Sequence, residues 1–238
     1  MNDGSAQPEV TFRELNAHSG DATLFVRSVG GRDGGPALVL LHGGPGISHE
    51  YMLPLETLAS DQLRVVSYDQ RGVGRSKGAV SSDPMKDYVE DLEAVRQVIG
   101  AERIHLLGHS AGGFPAMGYA GTYPERVSSV IFVDSVPPTT SRLNLTFRNF
   151  GARIAQLQEE GLIPGQLPED DTEQLNAVKP AYFADTRHPQ ALVPGLNGAR
   201  IYSMSGGAVM QGLGNYDLRP LLANLTMPTL SFISKVPF

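Results

Sequence analysis

The stretch Ile104-His105-Leu106-Leu107-Gly108-His109-Ser110-Ala111-Gly112-Gly113 constrains the fold more than any other part of the chain. An apolar run ends in Gly-x-Ser-x-Gly, and the helix-forming segment Phe114 to Ala120 follows at once. That order predicts a strand, a very tight turn and a helix. Such a turn forces unusual backbone angles on the serine. Gly108 and Gly112 remove the Cβ atoms that would collide where strand and helix approach. The Ser110 hydroxyl is then expected at the carboxyl end of a sheet, beside a helix N-terminus.

The flanking pattern supplies the sheet. Val10 to Leu15 and Thr23 to Val29 predict an antiparallel pair around a turn at His18-Ser19-Gly20-Asp21. Ala37 to Leu41 is a continuous apolar run, as expected of a strand covered on both faces, and it leads into His42-Gly43-Gly44-Pro45-Gly46. A short helix is expected over Met52 to Ser60, then a strand over Leu63 to Tyr68 and a loop from Asp69 to Ser76. Asp83 and Pro84 open the clearest helix, in which Tyr88, Leu92, Val95 and Ile99 repeat at helical spacing until Gly100. Strands over Arg103–Leu107 and Val127–Val133 alternate with helices, which predicts an α/β fold with a mostly parallel sheet.

From Pro137 the rhythm changes. Helices are expected over Leu143–Glu160 and Thr172–Thr186, separated by Gly161-Leu162-Ile163-Pro164-Gly165. The expected organisation is a core over 1–136, an inserted helical cap over 137–215, and the core resumed over 216–238, with a helix at Leu218–Leu225 and a strand at Pro228–Ser234.

Composition narrows the function. The chain has 238 residues, 41% hydrophobic and 18% charged, with a formal net charge of -6. That is enough for one sizeable core, and it suggests neither a nucleic-acid surface nor a polybasic membrane patch. With 0 Cys there is no disulfide, no thiolate metal site and no thiol nucleophile. The polar start Met1-Asn2-Asp3-Gly4-Ser5 lacks a secretory signal pattern, and no apolar run is long enough to span a bilayer, so a soluble cytoplasmic protein is expected.

A serine alcohol needs a base, an acid to orient it, and donors for the oxyanion. The donors expected here are the amides of Ala111, which follows the serine, and of Gly44 or Gly43 in the loop after the Ala37–Leu41 strand. His42 and His109 are expected to shape loops, His105 to be a satisfied core histidine, and His188 to be a loop residue. Asp69 and Arg71 are expected to form an ion pair bracing the oxyanion loop, rather than an acid and a phosphate clamp.

His42-Gly43-Gly44-Pro45-Gly46, Asp69-Gln70-Arg71-Gly72-x-Gly74-Arg75-Ser76 and Gly108-His109-Ser110-Ala111-Gly112, in this order, resemble an α/β-hydrolase of the prolyl aminopeptidase (proline iminopeptidase) type. The resemblance covers about residues 10 to 135 and resumes from Asp217 to Leu230. It implies Ser110 as nucleophile, the His42–Gly46 loop as oxyanion hole, a helical cap, no metal or organic cofactor, and a small-molecule or short-peptide substrate. Two departures stand out. The family carries Trp after its nucleophile, where this chain has Ala111. The order Ser, Asp or Glu, His places the acid after the Thr229–Ser234 strand, where Lys235-Val236-Pro237-Phe238 follows with no carboxylate.

The expectation is therefore a chain lacking its last strand, its final helix and the triad histidine. Asp134, at the end of the Val127–Val133 strand, is the substitute acid, and His188 is the only histidine downstream of Ser110. Two readings stay open: a serine hydrolase acting on a small ester or amide, or a catalytically inactive or ligand-binding relative. An unpaired apolar edge around Leu230 and Phe232 further predicts low solubility or self-association. Light scattering checks this, since a stable monodisperse monomer would contradict it.

Overall fold

The computed structural model describes residues 12–183 and 199–233. Seven strands form one sheet: β1 (Phe12–Ser19), β2 (Ala22–Val29), β3 (Ala37–Leu41), β4 (Arg64–Tyr68), β5 (Ile104–His109), β6 (Val127–Val133) and β7 (Thr229–Phe232). Their spatial order is β1-β2-β4-β3-β5-β6-β7. The pairs β1/β2 and β2/β4 are antiparallel, and every pair from β4 to β7 is parallel. This is the expected mostly parallel α/β sheet. The apolar run β3 and the neighbouring β4, which includes Arg64 and Ser67, are buried at every position, because they lie in the interior of the sheet.

Helix α1 (Pro84–Val98) is capped as predicted, with the Asp83 side chain accepting from the Lys86 amide 3.1 Å away. Helix α2 (Gly113–Thr122) follows the bend after β5 and is buried from Gly113 to Gly121. Tyr88, Leu92 and Val95 of α1 and Ile99 at its C-cap are all buried, the last three in the main core with Leu106 and Tyr119. Glu93 ties the two helices together. It accepts from Arg96 at 2.8 Å and Tyr119 at 2.7 Å, and pairs with Arg126 at 2.5 Å. Burial alone would raise the Glu93 carboxyl, but hydrogen bonds from Arg96, Tyr119, Gln97 and Arg126 outweigh it and hold the group at about 2. Because this folded value lies below the unfolded one, the stabilisation is complete above the ordinary glutamate range and is lost as pH falls toward 2. Glu93→Gln is expected to cost about 1–2 kcal/mol at pH 7 after solvent screening, with no cost near pH 2, in urea titrations run across that range.

Between β6 and β7 stand α3 (Thr140–Glu159), α4 (Asp171–Val178), α5 (Ser203–Leu213) and the single turn α6 (Arg219–Leu222). The first matches expectation. α4 is shorter than the predicted 172–186, because the chain tightens into a 3₁₀ turn at Lys179–Tyr182, where Pro180 cannot continue the ladder. Residues 184–186 lie outside the described residues, as does His188. The helix expected at 52–60 is a 3₁₀ segment, His49–Leu58, with Pro54 inside it. β1 continues through Ser19, so the hairpin turn is only Gly20-Asp21. The α6 turn is shorter than the expected 218–225.

Gly151 sits inside α3, exposed, and a Cβ there would meet nothing within 4 Å. Gly151→Ala is expected to stabilise the chain by about 0.5–1 kcal/mol, read as a raised urea midpoint, because alanine loses less backbone freedom on folding. At the other margin of the sheet, β7 is exposed throughout, with Leu230 and Phe232 each about half accessible.

Candidate active site

The bend after β5 has the geometry that its sequence demands. Ser110 adopts φ +52°, a left-handed conformation unusual for a residue with a side chain. The turn is held at close quarters by its glycines. A Cβ on Gly108 would lie 2.7 Å from the Gly112 carbonyl oxygen, and one on Gly112 would run into the Leu41 carbonyl at the end of β3. Ser110 itself is half-buried, so its hydroxyl is neither sealed in the core nor far out in solvent.

The loop after β3 comes to this bend. A Cβ on Gly43 would stand 2.9 Å from the Ser110 Cβ and 3.2 Å from the His109 carbonyl oxygen. Gly43 is buried and its N–H donates to the Tyr51 hydroxyl at 2.6 Å, whereas Gly44 is exposed with φ +124°. Of the two expected loop donors, Gly43 is therefore already engaged, and Gly44 is the one facing outward. Ala111, at the head of α2, is buried against the same bend.

His42 is a loop former, as expected. Its Nδ1–H donates to the Gly43 carbonyl at 3.1 Å, its Nε2 accepts from the Gln70 amide at 2.9 Å, and the Gln70 side chain donates to the His42 carbonyl at 2.8 Å. Complete burial pushes the His42 imidazole down to about 4, so the ring is neutral and both nitrogens are committed. His109 places Nδ1 2.8 Å from the Tyr51 hydroxyl. Burial pushes His109 below the usual histidine value, against a smaller upward pull from Asp134. His105 is half-buried rather than fully in the core, and its Nδ1 meets Ser129 Oγ at 2.8 Å.

Asp134 ends β6 with φ +43°, its amide donating to the Phe232 carbonyl at 2.9 Å. The next two residues brace the bend, with the Val136 amide donating to the Ser110 carbonyl at 3.0 Å. The structure thus brings Ser110, Ala111, Gly43, Gly44, His109 and Asp134 to the carboxyl ends of β3, β5 and β6.

Asp69 and Arg71 do not pair with each other, which corrects the expectation. Asp69 accepts from the His49 amide at 3.1 Å, His49 Nδ1 at 2.7 Å and the Arg75 amide at 2.8 Å. Burial raises the Asp69 carboxyl, but the His49 contact and the Arg75 amide outweigh it and hold the group below the usual range. Arg71 forks onto Asp91 of α1 at 2.7 and 3.2 Å and reaches Asp21 at 2.8 Å. The bracing role survives with different partners, because Asp69 is taken up by His49 and the Arg75 amide while Arg71 meets the buried Asp91 carboxylate of α1. His49, Glu50 and Asp69 also form a trio with metal-ligand spacing. Both Asp69 oxygens already accept hydrogen bonds there, whereas Glu50 Oε2 is buried with no hydrogen-bond partner among the described residues.

Two features escaped the sequence reading. Tyr51 bridges Gly43 and His109, residues separated from it by 8 and 58 positions, and no local pattern signals that. Helix α5 packs on the loops after β3 and β4, with the Tyr202 amide at its start donating to the Gly46 carbonyl at 2.7 Å and Ser205 Oγ donating to the Gly72 carbonyl at 2.7 Å. Its Gly206 and Gly207 argue against a helix by propensity, but a Cβ on Gly206 would collide with the Pro45 carbonyl.

A family profile described as alpha/beta hydrolase fold matches residues 36–162. The proline iminopeptidase of Clostridium botulinum is 40% identical over 128 residues, covering 52% of this chain and 42% of that protein. That of Heyndrickxia coagulans is 32% identical over 213 residues, covering 83% of this chain and 73% of the relative. The match thus spans less than half the length of the first of these relatives. The crystal structure of proline iminopeptidase from Mycobacterium smegmatis superposes with a TM-score of 0.63 at 22% identity, covering 92% of this chain and 80% of that one. The structure of E-2-(acetamidomethylene)succinate hydrolase does so with a TM-score of 0.60 at 26% identity, covering 93% and 80%. Among the described residues no helix is long and apolar enough to cross a membrane. With a mostly parallel sheet, a strained serine between β5 and α2, and a glycine loop from β3 beside it, the chain belongs to the α/β-hydrolase fold family.

Proposed function

We propose that this chain is a serine hydrolase that works by acyl transfer on a small ester or amide, with the N-terminal residue of a short peptide as the leading substrate type. The observation carrying this reading is the left-handed backbone of Ser110 at the strand–helix bend, beside the Gly43–Gly44 loop. Strain held at a non-glycine residue is a mark of functional sites. Ser110 Oγ would attack the carbonyl carbon and pass its proton to a histidine base, the amides of Ala111 and Gly44 would hold the oxyanion, and cleavage of the ester or amide bond would release the alcohol or amine with that proton. Asp134 would act as the acid of the triad, and its charge already acts on His109. The segment 137–215, which carries α3, α4 and α5, would serve as a cap over the pocket. The aminopeptidase preference rests on the similarity to proline iminopeptidases.

One observation favours a second reading, an inactive or ligand-binding relative. His42 has both ring nitrogens engaged and His109 commits Nδ1 to Tyr51, so neither is set as a base for Ser110. A fluorophosphonate probe followed by peptide mass spectrometry separates the two. Under the hydrolase reading Ser110 is labelled, and Ser110→Ala removes the label. A folded, unlabelled chain supports the inactive reading.

A further inference from the structure

We propose that Tyr51 is a positioning residue whose hydroxyl clasps the Gly43 amide to His109, leaving Gly44 as the loop's donor to the oxyanion. This rests on the reading of Ser110 as nucleophile. The geometry is a three-point junction. Tyr51 leaves the 3₁₀ segment His49–Leu58 and lays its ring edge-on to His109, with centroids 5.4 Å apart and planes at 62°. Its hydroxyl oxygen accepts from the Gly43 N–H at 2.6 Å and lies 2.8 Å from His109 Nδ1.

The proton directions follow from the donor inventory. The Gly43 N–H can only donate, so the phenol oxygen accepts from it and the phenol O–H is left to donate to His109 Nδ1, and burial shifts His109 toward the neutral form in which that nitrogen can accept. Burial likewise pushes the Tyr51 phenol above its ordinary value, so it keeps its proton. A Cβ on Gly43 would stand 3.3 Å from the Tyr51 oxygen and 2.9 Å from the Ser110 Cβ, so the phenol, the loop and the serine converge on one point. His109 directly precedes Ser110. The clasp therefore joins the loop on β3 to the bend on β5, the two separate pieces from which the oxyanion site is built. Without the hydroxyl, the Gly43 amide loses its partner and the 42–44 peptides can rotate, carrying Gly44 off the oxyanion position.

The test uses the full chain and an alkyl fluorophosphonate, whose phosphoryl oxygen occupies the oxyanion position. Tyr51→Phe keeps the ring and removes only the bridge. His109→Asn keeps an acceptor near the Nδ1 position, and His109→Leu removes it. The maximal labelling rate at Ser110 is expected to fall about 10–100-fold in Tyr51→Phe and His109→Leu, with the half-saturating probe concentration unchanged. The double variant should be no slower than either single, and His109→Asn should recover most of the rate. Labelling of Tyr51→Phe at the unsubstituted rate, or additive losses in the double variant, would overturn the clasp while leaving the nucleophile assignment intact. Hydrogen exchange at the Gly43 amide, followed by NMR, reads the clasp without activity. If Ser110 is never labelled, the nucleophile reading falls. Slow exchange that becomes fast in Tyr51→Phe still upholds the clasp, and equal exchange in both overturns it.

Discussion

Gly112→Ala is expected to be strongly destabilising. The added methyl group would run into the Leu41 carbonyl and stand 2.7 Å from the Leu41 carbonyl carbon and 2.9 Å from the His42 carbonyl oxygen. All three are backbone atoms at the end of a central strand, and Leu41 is held in register opposite Gly108. None of them belongs to a side chain that could swing aside, so β3 and the Ser110–Gly112 turn must separate to admit the methyl. Overpacking of a rigid interior costs about 3 kcal/mol or more in such cases, a large part of a domain's stability. Urea denaturation measures it. The matched control is Gly165→Ala, where a Cβ meets nothing within 4 Å and the change should stay within about 0.5 kcal/mol. Equal stabilities for the two variants would mean that the bend is not packed as described.

Arg71→Ala is expected to cost about 3–5 kcal/mol, because it strands a buried charge. The Arg71 and Asp91 side chains are 7% and 2% exposed, and the fork between them is the main compensation for burying either. Burial already raises the Asp91 carboxyl above its ordinary value, with Arg71 pulling it back. Removing the guanidinium lifts it further. A folded value above the unfolded one favours the folded state at low pH, and that advantage is lost as pH rises through the folded value. The deficit of Arg71→Ala should therefore be full at pH 8 and shrink in acid. Arg71→Met combined with Asp91→Leu should recover most of the stability, since two apolar side chains need no partner. Guanidinium titrations at several pH values decide this, and a deficit independent of pH would argue against Asp91 as the stranded charge. The consequence reaches the site, because the neighbouring Gln70 holds the His42 loop through two hydrogen bonds.

These two variants also mark what was legible in the sequence. The Gly112 contact follows from the motif alone, since a turn that tight allows no Cβ. The buried strand β3 and the α1 stripe were equally legible, because a continuous apolar run and helical spacing are local signals. The Asp69–Arg71 expectation failed for the complementary reason. Their true partners, His49 and Asp91, lie 20 residues away in opposite directions along the chain, and nothing nearby in sequence announces either. Tyr51 and α5 were missed on the same ground. Gly206 reads as a helix breaker until the Pro45 carbonyl is seen against it, and Tyr51 reads as one more aromatic until its hydroxyl is found between Gly43 and His109. Local pattern carried the elements and the serine. Tertiary closure supplied the scaffold that holds the loop to the serine.

The central claim is that a strained Ser110 faces oxyanion donors contributed by a distant loop. A crystal structure of the fluorophosphonate-treated chain tests it most directly. The predicted result is a phosphorus bonded to Ser110 Oγ, with its phosphoryl oxygen about 2.7–3.1 Å from the amides of Ala111 and Gly44. An adduct on another residue, or an oxygen turned away from both amides, would contradict it.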